Sequence, residues 1–221
     1  MDFLEKLLMW GIPVVLAVTL HEAAHGYAAL RYGDDTALRA GRLSMNPIRH
    51  VDLFGTILMP LFLFISGAPF LFGYAKPVPV NFARLRRPRQ DMVVVALAGP
   101  LTNVFLAIVS ALLVYLVQWF PASLQPFFIE MLRISILMNC VLAVFNMIPL
   151  PPLDGGRVAV GLLPDSLARP LASVEPYGFF ILLAILALPP LLGLPFSILG
   201  TLISGPVEVL YSFITTITGL Q

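Results

Sequence analysis

Two of the three histidines in this 221-residue chain stand four residues apart around a glutamate, His21-Glu22-Ala23-Ala24-His25, inside an apolar stretch. On a helix, residues four apart share a face, so both imidazoles can reach one ion. The glutamate between them can serve a metal-bound water as general base. Two histidines do not complete a catalytic zinc site, which uses three protein ligands and keeps one position for water. His50, Asp52 and Asp154 are the candidates for the third. Asp154 follows Pro149-Leu150-Pro151-Pro152-Leu153 and precedes Gly155-Gly156. The prolines end the preceding apolar helix and the glycines allow a sharp turn, which places a carboxylate on non-helical backbone just beyond that helix. Its alternative uses are a helix cap or a partner for Arg157. His50 and Asp52 lie in Asn46-Pro47-Ile48-Arg49-His50-Val51-Asp52, which also reads as a turn leading into the next apolar run.

The elements that must position these residues are dictated by the solvent. The chain is 59% hydrophobic and 11% charged, with a mean hydropathy of +0.93. A soluble domain carries roughly 25% charged residues, so the expected solvent is a bilayer. Ionisable groups at that depth are costly and mark function by default. A net charge of +1 argues against a nucleic-acid partner. The single cysteine, Cys140, excludes an internal disulfide and a cysteine-rich zinc site. Asp2 and Glu5 precede the first apolar run, with Lys6 its only cation, so the run reads as a retained first span and not as a cleaved leader.

Apolar segments are expected over about 7–30, 53–72, 92–120, 127–148, 177–192 and 196–217. The first carries Gly11-Ile12-Pro13, which would start or kink its helix. The second is broken by Gly55, Pro60, Gly67 and Pro69. The last holds Pro206 and Glu208, and would span the membrane or lie at its surface. Between the second and third, Gly73-Tyr74-Ala75-Lys76-Pro77-Val78-Pro79-Val80 reads as extended, because residues before proline avoid the helical region. The expected architecture is an all-α integral membrane protein, a single domain over 1–221. It forms a polytopic bundle of about five to six membrane segments, with a re-entrant or extended loop near the active site. Arg31, Arg39, Arg42, Arg49, Lys76, Arg84, Arg86, Arg87 and Arg89 are nine of the thirteen Lys and Arg residues. The positive-inside rule puts both flanks of 53–72 on the cytoplasmic side. That run is then expected to dip in and return. The next two helices go out and come back, which brings Asp154 to the side of His25. His25 itself lies six residues, roughly 9 Å, from the Arg31 end of its helix.

Here a resemblance becomes specific. The chain resembles the site-2 protease family of intramembrane zinc metalloproteases. His21-Glu22-x-x-His25 matches one half of that family's site. Asn146, Pro149, Leu153, Asp154 and Gly155 match its Asn-x-x-Pro-x-x-x-Leu-Asp-Gly pattern, and Gly99-Pro100-Leu101-Thr102-Asn103 resembles its Gly-Pro-x-x-Asn segment. The resemblance implies one zinc per chain held by His21, His25 and Asp154, with Glu22 as the base. It implies that Asn146 helps orient the substrate carbonyl or steady the oxyanion, and that Asn103 does similar work, the alternative for Asn103 being an inter-helical hydrogen bond. It further implies the small, core-only branch, without a PDZ or nucleotide-sensing domain. The implied substrate is a membrane-anchored protein or peptide within the lipid bilayer. The implied location is the bacterial cell (inner) membrane, with the active site towards the cytoplasm. The extended Gly73–Val80 segment could hold an unwound substrate strand by edge pairing, although Pro77 and Pro79 remove two donors. A zinc transporter or metal-sensing membrane protein would also place His and Asp in helices. Transport, however, has no need for a glutamate beside the first histidine. An inactive, zinc-stapled scaffold would not need Glu22 either.

Overall fold

The computed structural model describes residues 3–67, 75–194 and 197–220. Residues 68–72 of the second apolar run and Gly73-Tyr74 of the extended segment lie outside the described residues. The regular structure among the described residues is all helical, with no strand among them. Helix α1 covers Phe3–Arg31 and carries Pro13 inside it. It opens well ahead of Gly11-Pro13, because a long apolar helix absorbs the one backbone bond a proline removes. A short α2, Thr36–Arg39, and a 3-10 turn, Pro47–His50, follow. A π-turn over Leu53–Leu58 then leads into α3, Met59–Ile65. Beyond residues 75–80, the segment expected to be extended and free of helix here, come α4, Pro88–Val114, and α5, Gln125–Asn146. The chain continues through α6, Asp154–Leu162, α7, Asp165–Ser173, α8, Glu175–Leu191, and α9, Ile198–Thr218.

Among the described residues, four helices are long and apolar enough to cross a membrane: α1, α4, α5 and α9. The α7–α8 pair, bent by 66°, makes a fifth only if counted as one span. The bundle of four to five apolar helices makes this a membrane protein, at the lower edge of the five to six segments expected. α4 starts four residues earlier than the expected 92–120 and ends at Val114, because the chain tightens there into a 3-10 turn over Val117–Trp119.

Small residues let the long helices approach. Ala96, Gly99, Asn103, Ala107 and Ala111 recur along one buried face of α4, the spacing that stacks residues up one side of a helix. Ala107 and Ala111 pack with Ile136 and Cys140 of α5 and with Val207 and Ile214 of α9. The Tyr115 hydroxyl, just past α4, donates to the Thr218 carbonyl at 2.8 Å, so α9 ends where α4 ends. Leu202 and Ile203, near the start of α9, line one cavity with Met147 and Ile148, just past α5. α9 thus begins at the end of the bundle where α5 finishes, and α6–α8 leave and return to that same end. The expected segment at 177–192 exists as α8, but this connectivity gives it no net crossing.

The stretch after His50 also returns to its origin. The Lys76 N–H donates to the His50 carbonyl at 2.9 Å, and the Arg42 guanidinium donates to the Lys76 carbonyl at 2.9 Å. The helical part, Leu53 to Ile65, rises roughly 20 Å at 1.5 Å per residue. That is short of a hydrocarbon core of about 30 Å.

Candidate metal centre

His21 and His25 project from one face of α1, and both are buried. Asp154, the first residue of α6, is buried against them. The two Nε2 atoms lie 3.0 Å apart. Asp154 Oδ2 lies 3.2 Å from Nε2 of His21 and 3.3 Å from Nε2 of His25. Zinc bonds of about 2.0–2.1 Å to tetrahedrally placed atoms would set those atoms about 3.3–3.4 Å apart. The triangle therefore has the dimensions of one face of such a site. Among the described residues, these three form the group of His, Cys, Asp or Glu side chains close enough to share an ion.

The chemistry of the donors fits the same ion. His25 Nδ1 lies 2.7 Å from the Val95 carbonyl, which can only accept. His21 Nδ1 lies 2.6 Å from Asn103 Oδ1. Each ring therefore carries its proton on Nδ1 and turns an Nε2 lone pair inward. Asp154 Oδ2 is buried with no hydrogen-bond donor. Three lone pairs facing one another without a proton repel unless a cation lies among them. A ligating histidine almost always donates its other N–H in this way.

Gly99 of α4 leaves the space. A Cβ there would press into Nε2 of His25 and lie 2.6 Å from Nε2 of His21. The Asp154 turn is held just as closely. A Cβ at Gly155 would meet the Met147 and Ile148 carbonyls, one at Gly156 the Pro151 nitrogen, and one at Gly178 of α8 the Pro151 carbonyl. Arg157 pairs with Glu175 at 3.1 Å, so the carboxylate of Asp154 is not spent on Arg157, nor does it cap α6, whose N-cap is Leu153 without a side-chain bond.

The other third-ligand candidates have different partners. His50 Nε2 lies 2.8 Å from the Ser44 carbonyl. Asp52 caps the π-turn, accepting from the Gly55 N–H at 2.7 Å. Glu22 is half-buried, and its Oε2 accepts the Val78 N–H at 2.8 Å, so the extended residues lie directly against the glutamate. Asn146 ends α5 and donates to the Leu142 carbonyl at 3.0 Å. Asn103 is fully buried, with both ends of its amide engaged. Oδ1 faces His21, and Nδ2 donates to Asn139 Oδ1 at 2.9 Å and to the Ala17 carbonyl at 3.3 Å. Those are the contacts of an inter-helical hydrogen bonder, and a substrate carbonyl would need one of them broken.

Three participants went unread in the sequence: Asn139, the Val78 N–H and the space above Gly99. Asn139 alone left a signal, as an amide within an apolar helix. Where the extended residues leave the site, Asp34 anchors them. It accepts from the Asn81 N–H at 2.6 Å and the Thr36 N–H at 3.0 Å, takes a further bond from the Thr36 hydroxyl, and faces Arg84 at 3.8 Å. Burial pushes its pKa up, but the bonds from Thr36 and Asn81 and the charge of Arg84 outweigh burial and hold it below the ordinary carboxylate value.

Comparison with known proteins finds zinc metalloproteases among the relatives of this chain. Residues 120–189 match Peptidase family M50, a stretch that includes Asn146 and Asp154. The chain is 39% identical over 186 residues to YwhC of Bacillus subtilis, with 80% of each chain covered. It is 28% identical over 178 residues to Rip2 of Mycolicibacterium smegmatis, with 80% of this chain and 66% of that protein covered. It is 24% identical over 166 residues to MJ0392 of Methanocaldococcus jannaschii, with 74% of this chain and 38% of that protein covered. All three carry zinc-metalloprotease names. No solved structure matches the chain.

Proposed function

Because the chain belongs to peptidase family M50, the site-2 protease family, we propose that it is an intramembrane zinc metalloprotease that cleaves membrane-anchored proteins or peptides in or near their transmembrane segments. The observation that carries this reading is the triangle of inward lone pairs on His21, His25 and Asp154, set on apolar helices. One zinc held by these three residues would lower the pKa of a bound water and polarise the scissile carbonyl.

The remaining work falls to this chain's own groups. Glu22 takes the proton of the attacking water and passes it to the leaving amine. The Val78 N–H holds Oε2 of Glu22, which leaves Oε1 for the proton. Asn146 is the amide assigned to the developing oxyanion, and on binding it would exchange its Leu142 partner for the substrate. A peptide bond within a helix has its carbonyl hydrogen-bonded and shielded, so the substrate must unwind locally. Residues 75–80 are free of helix, and Val78 lies beside Glu22, which supports their role in receiving the unwound strand. With prolines at 77 and 79, one edge of this segment offers carbonyls without N–H groups, so an incoming strand would bond to it mainly as donor.

The Arg31–Arg89 cations flank the end of the bundle nearest the triangle. By the positive-inside rule that end is cytoplasmic, in a bacterial inner membrane. The test compares wild type with Glu22→Gln for bound zinc and for cleavage of a single-span substrate. Zinc is expected to stay while cleavage is lost. Equal cleavage by both proteins would sink the proposal.

A further inference from the structure

The two histidines are oriented by different kinds of acceptor. His25 donates to a backbone carbonyl, that of Val95, which has no alternative polarity. His21 faces the side-chain amide of Asn103, whose oxygen and nitrogen could exchange places by a half-turn. In the reversed orientation the Asn103 NH2 would face His21 Nδ1. The imidazole proton would then move to Nε2 and point into the triangle, where a metal needs a lone pair. Something must fix the amide.

Asn139 of α5 does so by position. It is 1% exposed, and its own amide is set by donation to the Ser135 carbonyl at 2.9 Å. Asn139 Oδ1 is thereby turned towards α4, where it accepts the Asn103 N–H at 2.9 Å. The longer bond from Asn103 to the Ala17 carbonyl, at 3.3 Å, has the same sense. Donors thus run in one direction, from His21 to Asn103, from Asn103 to Asn139, and from Asn139 to the Ser135 carbonyl. Each link leaves the next group a single polarity. Buried amides among apolar helices are costly unless fully bonded, and this chain of bonds leaves one usable lone pair, on His21 Nε2.

We infer that Asn139 is a positioning residue of the metal centre, acting through the orientation of the Asn103 amide. The inference rests on the proposed zinc site, and the experiment separates the two. Zinc dissociation constants are measured by chelator competition on purified protein in detergent, for wild type, Asn139→Leu, Asn103→Asp and the double variant. No binding by wild type would overturn the zinc reading itself. With wild type binding, Asn139→Leu should weaken zinc by about 10–100-fold, the usual cost of an outer-shell partner. In Asn103→Asp both side-chain oxygens accept, so His21 keeps an acceptor whichever way the group turns, and adding Asn139→Leu, which removes the acceptor facing the second oxygen, should not weaken zinc further. The same loss in both backgrounds would make Asn139 a packing residue, and no loss in either would remove it from the site. If Asn103→Asp does not fold, Asn139→Asp decides. It keeps the acceptor oxygen and should bind zinc better than Asn139→Leu, whereas equal loss in the two overturns the inference.

Discussion

Around the triangle there is no room for one more methyl group. Gly99, Gly155, Gly156 and Gly178 each face a neighbour that an added Cβ would strike. In the stretch that leads to the extended residues the surroundings are open. Phe62 is 70% exposed and Ile65 74%, and a Cβ at Gly67 would meet nothing within 4 Å. What ties this second region down is backbone hydrogen bonding, from Lys76 to His50, from Val78 to Glu22 and from Asn81 to Asp34, with one side chain, Val78, buried against Gly26. Side-chain packing fixes ligand atoms to tenths of an ångström, because interiors are close-packed. Backbone bonds at an open surface can be exchanged for those of another chain. On the proposed function the two regions divide the work, one holding donors still and the other receiving a polypeptide.

The sharpest way to break this division is Gly99→Ala. Its Cβ takes the space between both Nε2 atoms, and metal analysis should find zinc absent from an otherwise folded protein. Full zinc content would mean that the cavity beside α4 is not where the ion sits. Asp154→Ala comes next, with a loss of zinc affinity beyond the roughly 10–100-fold of outer-shell changes, while His50→Ala should leave zinc content unchanged. If the two behaved alike, the third ligand would be misassigned. At residues 75–80 the expected effect is on turnover and not on metal. Val78→Pro deletes the N–H that holds Glu22, and should lower kcat, by less than the roughly 10²–10⁴-fold that a general base contributes in full, with zinc retained. Val78→Ala keeps the N–H and should lose far less. Normal cleavage by Val78→Pro would detach the extended residues from the chemistry. The smallest effect is expected at Asp34. Its pKa is depressed in the folded protein, so its contribution to stability is present above the ordinary carboxylate value of 3.8 and is lost as pH falls through the lower folded value. Melting curves of Asp34→Asn should show a weaker fall in stability on acidification than wild type, and identical slopes would remove Asp34 from the anchor.

How much of this was legible in the sequence follows the same division. His21, Glu22 and His25 are close neighbours on one helix, so spacing alone places them on a common frame. Asp154 was legible because prolines and glycines mark its turn whatever packs around it. Asn139 and Asn103 are 36 residues apart, and the bond between them exists only once α4 and α5 are packed. No local pattern records it. The role of Gly99 is likewise a fact about what faces it across α1. Helix ends shifted by a few residues where hydropathy gives no sign of the bond that stops the helix, as at Val114. The number of crossings was less legible still, because α8 is as apolar as a span, and only the meeting of α9 with the end of α5 shows that it makes no net crossing.

That return of α6–α8 has a consequence for the ends of the chain. Phe3 begins α1 at the end of the bundle away from Arg31, and Thr218 meets Tyr115 at that same end. Trp10 of α1 and Val207, Glu208 and Tyr211 of α9 line one cavity there, together with Ile134 and Leu137 of α5. A fused protein at either terminus would emerge on the face opposite the triangle, clear of it. A single-span segment joined after Leu220 would re-enter the membrane in the direction of α1 and finish at the level of the site, at the high effective concentration that a short tether confers. The arrangement of its ends makes this chain suited to a self-reporting fusion, in which one polypeptide carries both the scissors and the thread.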